Sequence, residues 1–290
     1  MNAQSSCTKL VMLGTGTPVA NPKRAGASIA VIAGQEPYLF DFGVGVVRNA
    51  AALTPEYGGN IPELHAGRLK TAFLTHLHSD HTLGFPDLLL SGWTSGRRDS
   101  PLRVFGPDGV QDLVAGVLSA WKDDIDYRRF GMEGANDRGW RVDVTPISQG
   151  EIYSDDNIRV IAFPVIHGTW PNAFGFRIET ADKIIVLAGD LSPCDSLLAY
   201  GQGADYLVHE VYCQRGYEHH PRLTAILRSY HRLNHTSTHE LAEIATKLRP
   251  KTLILNHILW FGCSSAEVLD EISERYDGKV VLAEDLDVFD

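Results

Sequence analysis

Six consecutive residues constrain this chain more than any others: His76-Leu77-His78-Ser79-Asp80-His81. Four of these side chains can bind a metal, and their neighbours fix where they stand. Leu69 to Thr75 is a short apolar run that reads as a buried strand. Thr82 to Leu90 reads as the start of a helix, so the cluster lies on a strand-to-helix turn. Side chains alternate along an extended segment, so His76 and His78 point to one side and can share a cation. Asp80 and His81 lie past the bend and can face a second cation beside the first. Neutral imidazole and carboxylate are ligands that zinc accepts. A single histidine pair would fit an ordinary His-rich turn; HxHxDH at a strand end points to metal.

Composition bounds the rest. The 290 residues can bury a large core, as one big domain or two small ones, and the share of apolar residues, 44%, is that of a soluble globular protein. No apolar run reaches the roughly 18 residues that a membrane span needs, so no membrane role is expected. Residues 1–8 are short and polar, which is not an intact signal peptide, though a removed one stays open. Cys7, Cys194, Cys213 and Cys263 are scattered without a CxxC pair. They read as free or buried thiols with no disulfide framework, which favours the cytoplasm over the periplasm. The formal net charge of −10 is a poor footprint for a nucleic-acid binder.

Along the chain, several more chemically able residues sit at the ends of apolar runs. Asp41 follows the strand Tyr38–Phe40, either as a turn or helix cap or as a carboxylate that orients a metal-binding histidine. His167 follows Val165-Ile166, and Asp190 closes the run Lys183–Leu187. A carboxylate there is costly unless it is paired or metal-bound. His209-Glu210 ends the strand that begins at Asp205, and His257 follows the buried strand Thr252–Asn256. His235 precedes a helix that Ser237 or Thr238 caps. Residues 108–130 read as one long helical stretch, and residues 211–234 as a loop and short helix near a site mouth.

This pattern resembles the metallo-β-lactamase superfamily of binuclear metallohydrolases, in particular its ribonuclease Z and arylsulfatase-like branch. The resemblance rests on HxHxDH, the opening Leu13-Gly14-Thr15-Gly16, the His209-Glu210 strand end, and His235-Thr236-Ser237 with the helix after it. It spans Leu10 to about Val280. It implies an α/β (α+β) fold, a four-layer αββα sandwich formed by residues 1–290 as a single hydrolase domain. It implies two Zn2+ ions, with Mn2+ or Fe2+ as alternatives. His76, His78 and His167 would hold one; Asp80, His81 and His257 the other; Asp190 would bridge them. A bridging hydroxide would attack the substrate, with Asp80, His235 and Glu210 as catalytic side chains: His235 assists the leaving group and Glu210 orients His235.

For substrate, the expectation is a small phosphodiester or sulfate ester. The alternatives are a ribonuclease Z-type tRNA 3′ endonuclease and a lactonase-type acyl hydrolase. Three features favour the small ester. Ribonuclease Z enzymes of bacterial type carry an RNA-gripping arm between the third metal histidine and the bridging aspartate, and here residues 168–189 suffice only for a strand hairpin. Val211-Tyr212 and Ser79 replace residues usual in tRNA-processing enzymes. Trp93, Trp170, Tyr217 and Trp260 suit an aryl group beside the metals. Nucleic acid is therefore not expected as a partner, and a homodimer is left open.

Overall fold

The structure, a computed structural model, describes residues 7–290. The described residues divide into two compact units, one of residues 7–147 with 285–290, the other of residues 148–284.

The first unit contains β1 (Lys9–Gly14), β2 (Ser28–Ala33), β3 (Glu36–Phe40), α1 (Val46–Ala52), β4 (Thr71–Phe73), α2 (Ser79–Thr82), α3 (Phe85–Trp93), β5 (Leu102–Gly106), α4 (Val110–Ala120), α5 (Lys122–Phe130) and β6 (Val142–Pro146). β1, β2 and β3 form an antiparallel meander, after which β3, β4, β5 and β6 run parallel. Parallel neighbours need crossover helices, and these lay Leu88, Leu89, Val110 and Val114 on Leu39, Ala72, Leu74 and Val104 as one core. The long helix expected over residues 108–130 is two helices. Trp121, at φ −102° and ψ 17°, breaks the helical path, and the apolar α4 gives way to a charged α5 laced by Lys122–Asp126 and Arg128–Asp124 ion pairs. Trp93 is buried, and its indole N–H donates to the Asn136 carbonyl at 2.9 Å, so it belongs to this core and not to an aryl pocket.

The second unit contains β7 (Gly150–Ser154), β8 (Ile158–Pro164), β9 (Phe174–Thr180), β10 (Ile184–Leu187), α6 (Asp195–Tyr200), β11 (Tyr206–Tyr212), α7 (Gln214–His219), α8 (Ala225–Asn234), α9 (Thr238–Leu248), β12 (Thr252–Leu259), α10 (Ser265–Ser273) and β13 (Val280–Leu282). β7 to β10 pair antiparallel; β10 to β13 pair parallel. The ends of β10, β11 and β12 therefore open on one edge of the sheet. Apolar faces of α6, α9 and α10 pack on Val186, Leu207, Leu253 and Leu255 as a second core. Trp260 also packs against this core. The expected loop and short helix at residues 211–234 is two helices. Cys213 and Cys263 form a disulfide with Cα atoms 6.5 Å apart, against the expectation of free thiols. Fifty residues separate them, and only the return of β12 beside β11 brings them together.

After β13 the chain returns to the first unit. β14 (Val288–Phe289) pairs with β1. The Asp285 carboxylate accepts hydrogen bonds from the Thr15 N–H (2.9 Å) and hydroxyl (2.7 Å), the Ala25 N–H (2.6 Å) and the Asn49 side chain (3.1 Å). Among the described residues no helix is long and apolar enough to cross a membrane.

Candidate metal centre

In the first unit the candidate ligands come from one turn. β4 stops at Phe73, and Asp41, just past the neighbouring β3, takes the left-handed φ of 59°. Its N–H donates to the Phe73 carbonyl at 2.8 Å, which directs its carboxylate into the turn. That carboxylate accepts the Thr75 N–H (2.8 Å), the Thr75 hydroxyl (2.9 Å) and His81 Nδ1–H (2.7 Å). A proton held on Nδ1 leaves His81 Nε2 in its lone-pair form, as a metal ligand requires. The reading of Asp41 as an orienting carboxylate therefore fits better than that of a simple cap. Beside it, His76 Nδ1 stands 3.0 Å from the Thr75 hydroxyl, and His76 Nε2 lies 2.9 Å from His78 Nδ1. Asp80 Oδ2 is 3.5 Å from His81 Nε2, and the rings of His76 and His81 are 4.3 Å apart. His76, Asp80 and His81 are buried. Next to this cluster, Ser79 and Asp80 border a cavity of about 460 Å3 walled by Pro18, Val19, Val44 and Leu83.

In the second unit the candidates come from five separate places. His167 follows β8, where Ile166 bridges to Ser192. Its Nδ1–H donates to the Asn234 carbonyl at 2.8 Å, which again fixes the lone pair on Nε2. Asp190 is the third residue after the end of β10. His257 is the extra residue in a register shift between β11 and β12: Glu210 pairs with Asn256, and Val211 with Ile258. This bulge puts His257 at φ 44° and turns its ring toward Asp190, Nε2 to Oδ2 3.6 Å. His167, Asp190 and His235 each offer a ligand atom within 4.8 Å of the other two.

Glu210 ties these pieces together. Its Oε1 accepts the N–H groups of Thr236 (3.0 Å) and Leu191 (3.4 Å) and lies 3.3 Å from His235 Nδ1. It thus holds the residue after Asp190 and the residue after His235. Burial, reinforced by the Asp190 charge, pushes its carboxyl well above the usual carboxylate range. His235 sits where α8 ends, its N–H donating to the His231 carbonyl at 2.9 Å, and its ring is 5.4 Å from that of His167 and 6.3 Å from that of His257. Burial lowers His209 to about 4, and burial with the nearby His235 lowers His231 to about 4.

The Thr/Ser run after His235 has a separate task for each residue. The Thr236 hydroxyl donates to the Leu191 carbonyl at 2.7 Å, Ser237 caps α9 in a reciprocal pair with Glu240, and the Thr238 hydroxyl donates to buried Glu271 at 2.5 Å. Glu271 also accepts the N–H groups of Gln214 (3.0 Å) and Arg215 (2.8 Å). Sequence reasoning missed Glu271, Thr75 and the Asn234 carbonyl. Glu271 looks like any acid of an amphipathic helix, and the role of a carbonyl leaves no mark in the sequence. Of the aromatics expected at a substrate pocket, Trp93 and Trp260 pack in the cores, whereas the Trp170 N–H donates to the His167 carbonyl at 3.0 Å.

Residues 38–258 match the family model described as the beta-lactamase superfamily domain. The chain is 33% identical over 252 residues to the ribonuclease Z of Mycobacterium bovis (strain BCG / Pasteur 1173P2), covering 86% of this chain and 85% of that one. Among solved structures it is similar to the metallo-beta-lactamase fold protein YhfI from Bacillus subtilis, with TM-score 0.71, 17% identity, and 98% and 100% of the two chains covered. It is likewise similar to the short form of human tRNase Z, with TM-score 0.70, 22% identity, and 97% and 98% covered. At these identities the two structures speak for the fold alone, and the expected metallo-β-lactamase fold is borne out. The expectation that nucleic acid is no partner is overturned by the ribonuclease Z relatives, matched over most of their length. Its error was physical. Net charge is a sum over the whole surface, and phosphates respond to where the cations stand.

Proposed function

Because this chain belongs to the beta-lactamase superfamily and carries the fold of its hydrolases, we propose that it is a metal-dependent ribonuclease Z-type phosphodiesterase that trims the 3′ side of a precursor RNA. The observation that carries this reading is the 33% identity to a ribonuclease Z over 86% of the chain. The pairing of His235 with Glu210 at 3.3 Å supports it, since these are the residues that the ribonuclease Z-like resemblance singles out. We read the two units as one hydrolase domain.

The donor set suits two divalent ions of the zinc type. It is all imidazole and carboxylate, and in His81 and His167 an acceptor on the Nδ1 side sets the tautomer that a ligand needs. By the family resemblance, His76, His78 and His167 would hold one ion, Asp80, His81 and His257 the other, with Asp190 shared. When bound, such a pair lowers the pKa of water and stabilises charge developing on phosphate oxygens.

The chain's own residues supply the remaining requirements. The leaving oxygen of a cut phosphodiester is a poor leaving group unless a proton reaches it. In this reading His235 brings that proton from Nε2, while Glu210 Oε1, 3.3 Å from Nδ1, keeps the ring in position. Glu210 also holds the backbone next to Asp190 and next to His235, so the proton donor and the shared ligand move together.

The test is incubation of zinc-loaded protein with a precursor tRNA bearing a 3′ trailer. The expected result is one cut at the trailer junction, abolished by a chelator and restored by zinc. Intact precursor, under conditions where a bis-aryl phosphodiester is turned over, would overturn the reading.

A further inference from the structure

Building on the RNA reading above, we infer that the α7–α8 segment is a docking surface for the single-stranded part of the RNA substrate. The whole chain carries −10, yet residues 213–234 hold Arg215, Arg222, Arg228 and Arg232 against one acid, Glu218. That local inversion makes this segment a place where a phosphate chain is attracted on an otherwise repelling protein.

The four arginines have different tasks. Arg228 is structural: its guanidinium donates to the Tyr217 carbonyl and, at 3.1 Å, to that of His220, and the Tyr217 hydroxyl donates back to the Arg228 carbonyl at 2.8 Å. Arg215 is drawn to Glu271 at 3.7 Å. Arg222 and Arg232 are exposed and make no ion pair among the described residues.

Beside them α8 turns apolar side chains outward. Ile226 is 81% exposed, Tyr230 43% and Leu233 54%. Their spacing, i, i+4 and i+7, puts them on one helix face. Exposed Ile, Tyr and Leu next to two uncommitted guanidinium groups fit a partner that offers phosphates and flat apolar faces together. Duplex RNA hides its base faces by stacking, whereas a single strand displays them to aromatic side chains. The Tyr230 ring is placed to stack such a base, and its centroid lies 6.3 Å from that of His235, so the surface runs up to the candidate proton donor.

The platform is anchored at both ends. At its start are the Cys213–Cys263 disulfide and the Glu271 bonds to Gln214 and Arg215. At its end the Gly168 N–H donates to the Leu233 carbonyl at 3.0 Å, and His167 Nδ1–H to that of Asn234 at 2.8 Å. A surface already ordered loses less entropy on binding.

The experiment measures binding of labelled single-stranded RNA of about 12 nucleotides, and of duplex RNA of equal length, to the full zinc-loaded protein across a salt series. The wild type should prefer the single strand at least about tenfold. Arg222→Glu with Arg232→Glu should weaken that binding at least about tenfold and flatten the log Kd against log salt slope by about 1.4, near 0.7 for each phosphate no longer neutralised. Tyr230→Ala should weaken it about tenfold with the slope kept. If charge reversal lowers the melting temperature, Arg222→Gln with Arg232→Gln carries the same slope prediction. Unchanged affinity, weaker affinity at the wild-type slope, or a preference for duplex would overturn the proposal. So would binding to phosphatidylglycerol vesicles that the arginine variant abolishes, with single-stranded RNA left unbound. Precursor cleavage is followed in parallel: cleavage without single-strand binding sinks the docking surface alone, and no cleavage of any RNA sinks the parent reading.

Discussion

Each unit supplies one half of the candidate ligands, and the two halves are built by opposite means. In the first unit, His76, His78, Asp80 and His81 lie on one turn, and a single carboxylate, Asp41, braces it through Thr75 and His81. In the second, His167, Asp190, Glu210, His235 and His257 come from five places, and their braces are a bulge, two backbone carbonyls and one buried glutamate. The first half is set by local backbone geometry, so it needs little more than the end of β4 and its parallel neighbour. The second exists only after β10, β11 and β12 are in register. Damage in the first half should therefore stay local, while damage in the second should spread from one residue to its neighbours.

The largest effect should come from Asp190→Ala. It is expected to abolish RNA cleavage and take bound metal from about two ions per chain to about one or fewer, read by elemental analysis after gel filtration. Full metal content with full activity would remove Asp190 from the centre. His235→Ala should keep the metal and lower kcat by roughly 10²–10⁴. The loss should shrink for diesters with acidic leaving groups, and equal losses along a leaving-group series would speak against proton donation. Asp41→Asn, which tests the first half, should weaken metal binding by about 10–100-fold while leaving the melting temperature of metal-free protein nearly in place. A cooperative loss of fold in that variant would end the claim that this half is locally determined.

The smallest effect concerns stability. His209 is held at about 4 in the fold, below its ordinary 6.5. The unfolded chain therefore takes up a proton first. The His209 contribution is intact above pH 6.5 and is lost as pH falls toward about 4, costing up to about 3 kcal/mol. Urea unfolding at pH 7 and pH 4.5 should show this loss, and His209→Asn, which keeps a donor near the Glu210 carbonyl, should flatten it. An unchanged pH dependence would mean that other groups carry it.

The contrast also explains what could be read in advance. HxHxDH declares itself because its spacing and its strand-to-helix setting sit in one window of sequence. His167, His235 and His257 are single histidines at strand or helix ends, and residue pattern alone does not separate them from structural ones; family resemblance singled them out. The strands were legible from their apolar runs, whereas the break at Trp121 and the α7–α8 pair were not, since each depends on what packs against the helix. The disulfide, Glu271 and Asp285 were invisible for one shared reason: their partners lie tens or hundreds of residues away.

The return of residues 285–290 to the first unit bears on how the protein is made. β1 is synthesised well before the residues that hold it: β14 covers its outer edge, and Asp285 pins the loop from Thr15 to Ala25. Both arrive only after the whole second unit has been translated. At about 5–20 residues per second, β1 waits on the order of tens of seconds with a row of open N–H and C=O groups. During that interval the nascent chain presents an uncovered strand edge, a template on which another chain can pair.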